Sequence, residues 1–330
     1  MPCRTLPVTA AIFLFRQEAL QYGRNSSPSG FNMQTSSLHR YALVLAISTL
    51  FLVVAGASVT SHQAGLSVPD WPLSYGQVMP PMVGGVKWEH GHRMVATFVG
   101  MLTVGLAIWL AIAEPRRWMR RLGWIAVAAV IVQGVLGGLT VLLLLPPAVS
   151  VSHACLAQLF FSTTVAIAIF TSRAWHAGPQ IVEDYGWPSL RSFSLFAPTL
   201  ILLQIALGAA FRHGAIGVLP HIIGAMIVSL VILILAAFVL HQFPNHAILR
   251  RAAKTLLTVT LIQVLLGVLT YYARLGAAEK PAPMLIFTIA HVATGALTLA
   301  SSVVLAIQVW RNVAVPRSQE RSTETAAVAS

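Results

Sequence analysis

The chain has 330 residues, of which 57% are hydrophobic and only 9% carry a charge, and its formal net charge is +12. Soluble domains carry roughly 25% charged residues, so this composition excludes an ordinary soluble protein. The two cysteines, Cys3 and Cys155, cannot form a CxxC pair or the CxxCH motif of covalent haem attachment.

The first 37 residues contain one short apolar run, AAIFLF, which is too brief for the apolar core of a signal peptide. We therefore expect 1–37 to be a disordered cytoplasmic tail.

Eight apolar runs follow residues 1–37. Roughly 20 apolar residues suffice for a helix to cross a bilayer, so each run is long enough to be a membrane span. The predicted spans 1 to 8 are 38–59, 90–113, 121–144, 150–172, 193–213, 218–241, 253–273 and 284–310. The polar segment 311–330 is predicted to be a second disordered tail. The chain is thus predicted to be an all-α polytopic membrane protein.

The Lys and Arg residues are distributed unequally between the two sides of the membrane. Sixteen of the 21 Lys and Arg residues lie before span 1, after span 8, in the three loops on that same side, or within the first three residues of the adjoining span. Only four lie in or directly beside the other loops, and Arg93 lies just inside span 2. The positive-inside rule then places both termini in the cytoplasm. The basic residues therefore reflect topology, and no nucleic-acid partner is predicted.

Several motifs occur twice in the same order, which indicates a duplicated four-helix unit. The recurring segments are QGVLGGLT (133–140), QIALGAAF (204–211) and QVLLGVLT (263–270); HRMVATFVG (92–100) and HIIGAMIVS (221–229); and SHACLAQ (152–158) and AHVATGA (290–296). We predict a first bundle at 38–172, a cytoplasmic linker at 173–192 and a second bundle at 193–310, related by a parallel pseudo-two-fold axis. Small residues in these repeats favour close helix packing, and they are Gly137, Gly138, Gly208 and Gly267.

Aligning the two copies pairs His92 with His221 and His153 with His291. Each of these histidines lies near the outer end of an even-numbered span, so all four are expected at one depth. A single histidine near a helix end more often hydrogen-bonds than binds a ligand. Four at matched positions favour one or two haem sites with two imidazole ligands each, because helix bundles commonly hold cofactors in this way. A zinc site would need further ligands, and none recurs in both copies.

Other polar residues are weaker candidates for the site. Arg212 and His213 are candidate contacts for haem propionates, whereas His90 is one residue out of register and is not predicted to be a ligand. Glu89 lies three residues before His92 and therefore on the same helix face, but the second copy has Val218 at this place. Glu89 is either a reactive acid in the first bundle alone or an interfacial acid paired with Arg93.

Residues 40–310 resemble the haem A synthases of the Cox15/CtaA type. The resemblance rests on GLSVPDWPLSYG (65–76), EHGHRM (89–94), QGVLGGLTV (133–141), SHACLAQ (152–158), Arg212-His213 and HVATGAL (291–297). It implies an eight-helix membrane oxidoreductase that converts the C8 methyl of haem O to the formyl group of haem A, with water as the oxygen source. The product would serve terminal oxidases.

The resemblance also implies roles for particular residues. His92 and His153 would bind the iron of the substrate haem, His221 and His291 would hold a haem b cofactor, and Glu89 would be catalytic. Candidate partners are haem O synthase and cytochrome oxidase assembly factors, and a homo-oligomer is compatible with the sequence. Many relatives carry a cysteine pair in the first external loop, where this chain has Val68 and Ser74. A mechanism that needs those thiols is therefore not available to this cysteine-free type.

Two other functions remain open from the sequence. A non-catalytic di-haem b-type electron carrier would bind two equivalent haems, and the unmatched Glu89 argues against it. A transporter is also compatible with parallel duplication, but no span shows an obvious break with a polar lining.

Reporter fusions test the predicted topology. We expect a periplasm-dependent reporter to be active when it is fused within loops 60–89 or 274–283 and inactive at the C-terminus, because basic residues are concentrated on the terminal side. A cytoplasm-dependent reporter at the same sites serves as the control. An active periplasmic reporter at the C-terminus would contradict the topology.

Overall fold

The computed structural model describes residues 33–184, 189–276 and 281–314. Within these ranges, eight helices are long and apolar enough to cross a membrane, which confirms the predicted all-α polytopic fold. They are α1 Met33–Ser61, α2 Val86–Ala113, α3 Arg117–Leu142, α4 Pro147–Phe170, α5 Leu190–Arg212, α6 Leu219–Gln242, α7 Ala247–Leu275 and α8 Pro281–Asn312. Each overlaps the predicted span of the same number, and the ends differ by a few residues.

The helix ends follow from local chemistry. Prolines occupy the first turn of α4 and α6, where the missing N–H costs nothing because it has no partner within the helix. The side chains of Ser189 and His246 cap α5 and α7 by accepting hydrogen bonds from the backbone N–H of Ser192 and Leu249. Apolar length does not detect such single boundary residues, which is why the runs alone placed the ends less accurately.

The predicted tails and linker are partly ordered. Residues 33–37 of the expected N-terminal tail belong to α1, and residues 311 and 312 complete α8. Strand β1, Val182–Glu183, pairs in parallel with β2, Val313–Ala314, and thereby joins the linker to the chain after α8. The linker also contains one helical turn, Arg173–His176. The predictions for 1–32, 185–188 and 315–330 lie outside the described residues.

Helices α1 to α4 pack in a ring in which each contacts the next and α4 returns to α1. Helices α5 to α8 form a second ring with the same order of contacts. The rings meet through α1, α4, α5 and α8, with an apolar cluster of Val53, Phe161, Ala296 and Ala300 between them. The two-bundle arrangement agrees with the expected duplication, which itself stays a prediction.

Large side chains fill only one end of each ring. We call the end that holds His92, His153, His221 and His291 the histidine end. The twelve largest fully buried side chains in the described chain all lie toward the opposite end; they are Leu45, Leu106, Leu110, Met119, Ile167, Leu190, Ile232, Leu235, Leu249, Leu256, Leu299 and Leu305. The interior is therefore closely packed at one end and lacks such side chains where the histidines lie.

Candidate functional site at the histidine end

Each of the four predicted ligand histidines lies against a glycine of the preceding helix. An added Cβ on the glycine would nearly touch or overlap the imidazole Cε1. The pairs are Gly56 with His92 (3.0 Å), Gly137 with His153 (3.2 Å), Gly208 with His221 (2.8 Å) and Gly267 with His291 (3.1 Å), where the distance joins the added Cβ to Cε1. Three of these glycines were predicted to serve helix packing alone. The structure shows that they specifically make room for imidazole rings.

Glutamines lie beside three of the four histidines. The Gln204 amide nitrogen donates to the main-chain oxygen of His221 at 2.7 Å and lies 2.9 Å from its Nδ1. In the first ring, the Gln133 amide donates to the main-chain oxygen of His153 at 2.9 Å and lies 3.4 Å from its Nε2. The Gln263 amide lies 3.3 Å from His291 Nε2. The sequence analysis did not predict these glutamines as partners of the histidines. The signal was present in the repeats, since each glutamine lies four residues before a glycine.

The histidines of the second ring face each other. The ring centroids of His221 and His291 are 6.2 Å apart and the ring planes are inclined by 85°. A metal bound by two imidazole nitrogens at about 2 Å each would separate the centroids by roughly 6 Å. In the first ring, His92 and His153 lie within electrostatic range of each other. The structure therefore brings the predicted ligands together as two pairs, one in each ring.

Glu89 is buried and fixes the first external loop to α2. Its Oε1 accepts from Arg93 at 2.7 Å and its Oε2 accepts from the backbone N–H of Val68 at 2.8 Å. Arg93 also donates to the main-chain oxygens of Asp70 and Leu73, at 2.8 Å each. The predicted pairing with Arg93 is thus present. Its carboxylate is buried and its guanidinium is half-buried, so the pair differs from a weak, exposed interfacial one.

The same loop covers the histidine end of the first ring. The indole of Trp71 packs on Gly138, where an added Cβ would lie 2.7 Å from a ring carbon. Asp70 caps the turn that follows, since backbone N–H groups of Gly76 and Tyr75 donate to its carboxylate and lower the pKa of Asp70. Gly138 therefore accommodates the loop rather than a neighbouring helix.

His90, which is out of register with the repeats, contacts Ser74 of the first external loop. The Ser74 hydroxyl lies 2.8 Å from Nδ1 of His90, and both residues are buried. His90 therefore faces the loop, and its exclusion from the ligands stays a prediction. At the two loop places to which the resemblance assigns cysteines, Val68 binds Glu89 through its backbone and Ser74 binds His90 through its side chain.

Arg212 and His213 lie between the two rings at the histidine end. Arg212 donates to the main-chain oxygen of Ala57 at 2.9 Å and to the Ser61 hydroxyl at 2.7 Å, so the end of α5 is joined to α1. Arg212 lies within electrostatic range of His291 in the second ring. Burial, and then the Arg212 guanidinium, lower the pKa of His213. A positive group at this place is suited to anionic propionates.

The residues of the histidine end fit haem better than a metal ion. No group of three or more His, Cys, Asp or Glu side chains within the described chain converges on a metal site. Paired imidazoles are common axial ligands of haem iron. The buried Nδ1 atoms of His92 and His153 and the buried Oε1 atoms of the three glutamines lack hydrogen-bond partners within the described chain. Such polar atoms, next to an interior without large buried side chains, are consistent with a bound polar cofactor.

Comparison with known proteins finds similarity to one protein family and to proteins that share one name. A family model described as COX15-CtaA, cytochrome oxidase assembly protein, matches residues 86–221, a range that contains Glu89, His92, His153 and His221. A protein named Heme A synthase from Symbiobacterium thermophilum is 30% identical over 169 residues, which cover 50% of this chain and 55% of that protein. Another of the same name from Shouchella clausii is 28% identical over 273 residues, covering 72% and 89%. A third protein of that name, from Alkalihalophilus pseudofirmus, is 26% identical over 180 residues, covering 52% of this chain and 59% of that protein. The chain thus spans little more than half the length of two of these three relatives.

Two glycine substitutions test the contact between glycine and imidazole. Gly208→Ala would place its Cβ 2.8 Å from His221 Cε1, so the ring or the helix must move. Overpacking of this kind costs about 1–3 kcal/mol. The matched control is Gly134→Ala, because nothing lies within 4 Å of a Cβ added there. Alanine at such a helical position is neutral or stabilising by up to about 1 kcal/mol. We expect thermal unfolding in detergent at a lower temperature for Gly208→Ala only, and equal midpoints for the two variants would contradict the contact.

Proposed function

The chain belongs to the COX15-CtaA family, and we propose that it is a haem A synthase that oxidises the C8 methyl of haem O to the formyl group of haem A. The observation that carries this proposal is an asymmetry between two otherwise similar sites. Both rings bring two histidines together against glycines. Within the described chain, a buried carboxylate on the same helix as a ligand histidine occurs in the first ring alone, and it is Glu89.

The two rings would bind haem for different purposes. In the first ring, His92 and His153 would bind the iron of haem O as substrate, beneath the loop that Trp71 fixes to α3. In the second ring, His221 and His291 would bind a haem b cofactor, which supplies an acceptor for the electrons removed from the substrate. The 6.2 Å between their ring centroids brings them close enough that both could hold the same haem.

Arg212 and His213 would contact haem propionates between the rings. Arg212 is already joined to α1 through Ala57 and Ser61, so its charge is held in place before a ligand binds. Bonds between arginine and carboxylates are strong because they combine charge with fixed geometry. This arrangement would set the orientation of each haem within its ring and thereby choose which methyl faces Glu89.

The proposed reaction converts one methyl and one water into a formyl group, four protons and four electrons. The methyl first gains a hydroxyl from water, with the loss of two protons and two electrons. A second round gives a geminal diol, which loses water to leave the formyl group. In each round, removal of electrons makes the methyl carbon positive and acidic, so a nearby carboxylate can stabilise the charge and accept a proton.

Glu89 is held ready for this role by its surroundings. Arg93 and the Val68 N–H hydrogen-bond to the carboxylate and so fix its position and orientation. The loop that covers this end would limit the access of bulk water to the reacting carbon. The residue thus combines a fixed position with the negative charge that the chemistry needs.

The proposed cellular location follows from the membrane spans and from the proposed function. The protein is a multi-pass membrane protein, and we place it in the inner membrane of a bacterial-type cell with both termini in the cytoplasm. Haem O would come from haem O synthase, and the product would pass to terminal oxidases with cytochrome oxidase assembly factors as candidate partners. A di-haem electron carrier is the weaker alternative, since it gives no role to a carboxylate in one ring only.

Glu89→Gln tests the catalytic role. The substitution keeps the size of the side chain and an acceptor for Val68, but it removes the proton acceptor and the charge. Arg93 retains main-chain acceptors at Asp70 and Leu73, so we expect less than the roughly 3–5 kcal/mol that breaking a buried pair costs. Extracted haems from cells with this variant should contain haem O or a hydroxylated intermediate in place of haem A, while haem b remains.

Arg93→Gln separates catalysis from attachment of the loop. It breaks the pair with Glu89 and the bonds to the loop, but it leaves the carboxylate in place. We expect this variant to produce more haem A than Glu89→Gln does at matched protein content. If the two variants lose haem A equally, Glu89 acts through the loop and its catalytic role is contradicted. Near-normal haem A in Glu89→Gln would contradict that role as well.

A further inference from the structure

Three glutamines share one position relative to the histidine sites. Each lies four residues before the glycine that contacts the histidine, so glutamine and glycine share one helix face. The pairs are Gln133 with Gly137 on α3, Gln204 with Gly208 on α5, and Gln263 with Gly267 on α7. In each case the glutamine amide lies within 3.4 Å of a ring nitrogen of the histidine that the glycine contacts.

Helix α1 breaks this pattern. Gly56 contacts His92 as the other glycines contact their histidines, but the residue four places earlier is Leu52. Leu52 packs against the apolar cluster of the first ring. Leucine can neither donate nor accept a hydrogen bond. The buried Nδ1 atoms of His92 and His153 both lack a hydrogen-bond partner within the described chain, but Gln133 lies beside the other ring nitrogen of His153. His92 is thus the histidine of the four that lacks a glutamine on the facing helix.

The difference has a direct consequence for iron binding. When one imidazole nitrogen binds iron, the other carries a proton that needs an acceptor. An acceptor at that nitrogen fixes the ring and makes the imidazole a stronger ligand, and its loss typically costs 10–100-fold in metal affinity. In the structure the amide nitrogen of each glutamine lies next to the ring nitrogen, and the amide oxygen is buried without a partner within the described chain. A half-turn of the amide would exchange these two atoms, so each glutamine can present an acceptor to His153, His221 or His291 once iron binds the other ring nitrogen.

We propose that Gln133, Gln204 and Gln263 are positioning residues that hold their histidines as haem ligands, and that Leu52 leaves His92 as the ligand that lets haem go. This inference rests on the proposed function. A cofactor haem must remain through many turnovers, whereas a substrate haem must enter and its product must leave. The second ring has a glutamine at both ligands. The first ring has one firmly held ligand, His153, and one weakly held ligand, His92.

Leu52→Gln tests the inference by restoring the missing partner. The glutamine would have the same relation to Gly56 and His92 that Gln204 has to Gly208 and His221. We expect haem in the first site to be lost roughly 10–100-fold more slowly to an excess of a haem-scavenging apoprotein. Leu52→Asn is the matched control, because it introduces the same amide on a chain one methylene shorter. Equal rates for the two variants, or a rate for Leu52→Gln equal to that of the unaltered protein, would overturn the inference.

Gln133→Leu provides the opposite change in the same site and does not depend on the folding of Leu52→Gln. It removes the partner of His153, so we expect faster loss of haem from the first site and no change in the rate at the second. Unchanged loss from the first site would overturn the role of Gln133.

Gln204→Leu tests the second site through a property other than turnover. Loss of the hydrogen bond makes His221 a weaker electron donor, so the reduction potential of the haem b should rise. A redox titration of the purified protein measures this shift, with Gln204→Asn as the matched short amide. An unchanged potential would contradict the positioning role. Failure of the unaltered protein to convert haem O, together with these responses, would instead remove the proposed activity and leave the glutamine roles intact.

Discussion

The close approach of an imidazole to a glycine on the neighbouring helix is the contact on which the histidine end depends. It occurs between α1 and α2, α3 and α4, α5 and α6, and α7 and α8. Without a side chain on the glycine, the odd-numbered helix can lie close to its even-numbered neighbour while the ring occupies the gap. Because the contact occurs twice in each ring, two imidazoles come to lie within one bundle at a common depth. Close packing of leucine and isoleucine toward the opposite end holds the helices in this arrangement.

Departures from this repeated pattern account for the proposed difference between the rings. The first ring has a carboxylate bound by Arg93 and by the loop, and it lacks a glutamine beside His92. The second ring has a glutamine at both histidines. A site that must accept, oxidise and release its haem is thus expected where the pattern is incomplete. A site that keeps its haem is expected where the pattern is complete.

The helices and the histidine pairs could be predicted from the sequence, because apolar length fixes a span and repeated motifs fix which histidines correspond. Contacts between helices could not be predicted, since the repeats do not show which side chains touch. Gly137 and Gly138 are neighbours in one repeat, yet the first contacts His153 and the second contacts Trp71. The burial of the pair between Glu89 and Arg93 was missed for a similar reason. It depends on a loop that is distant from α2 in sequence and folds back over it.

Haem extraction with mass analysis from protein supplied with haem O tests the central claim most directly, namely that two similar histidine pairs hold haems with different fates. The account predicts that haem O is replaced by haem A, with one oxygen added in place of two hydrogens, while haem b remains unaltered in the same sample. Water labelled with a heavy oxygen isotope should contribute that oxygen. Recovery of haem O unchanged beside haem b, in the presence of an electron acceptor that reoxidises the protein, would contradict the account.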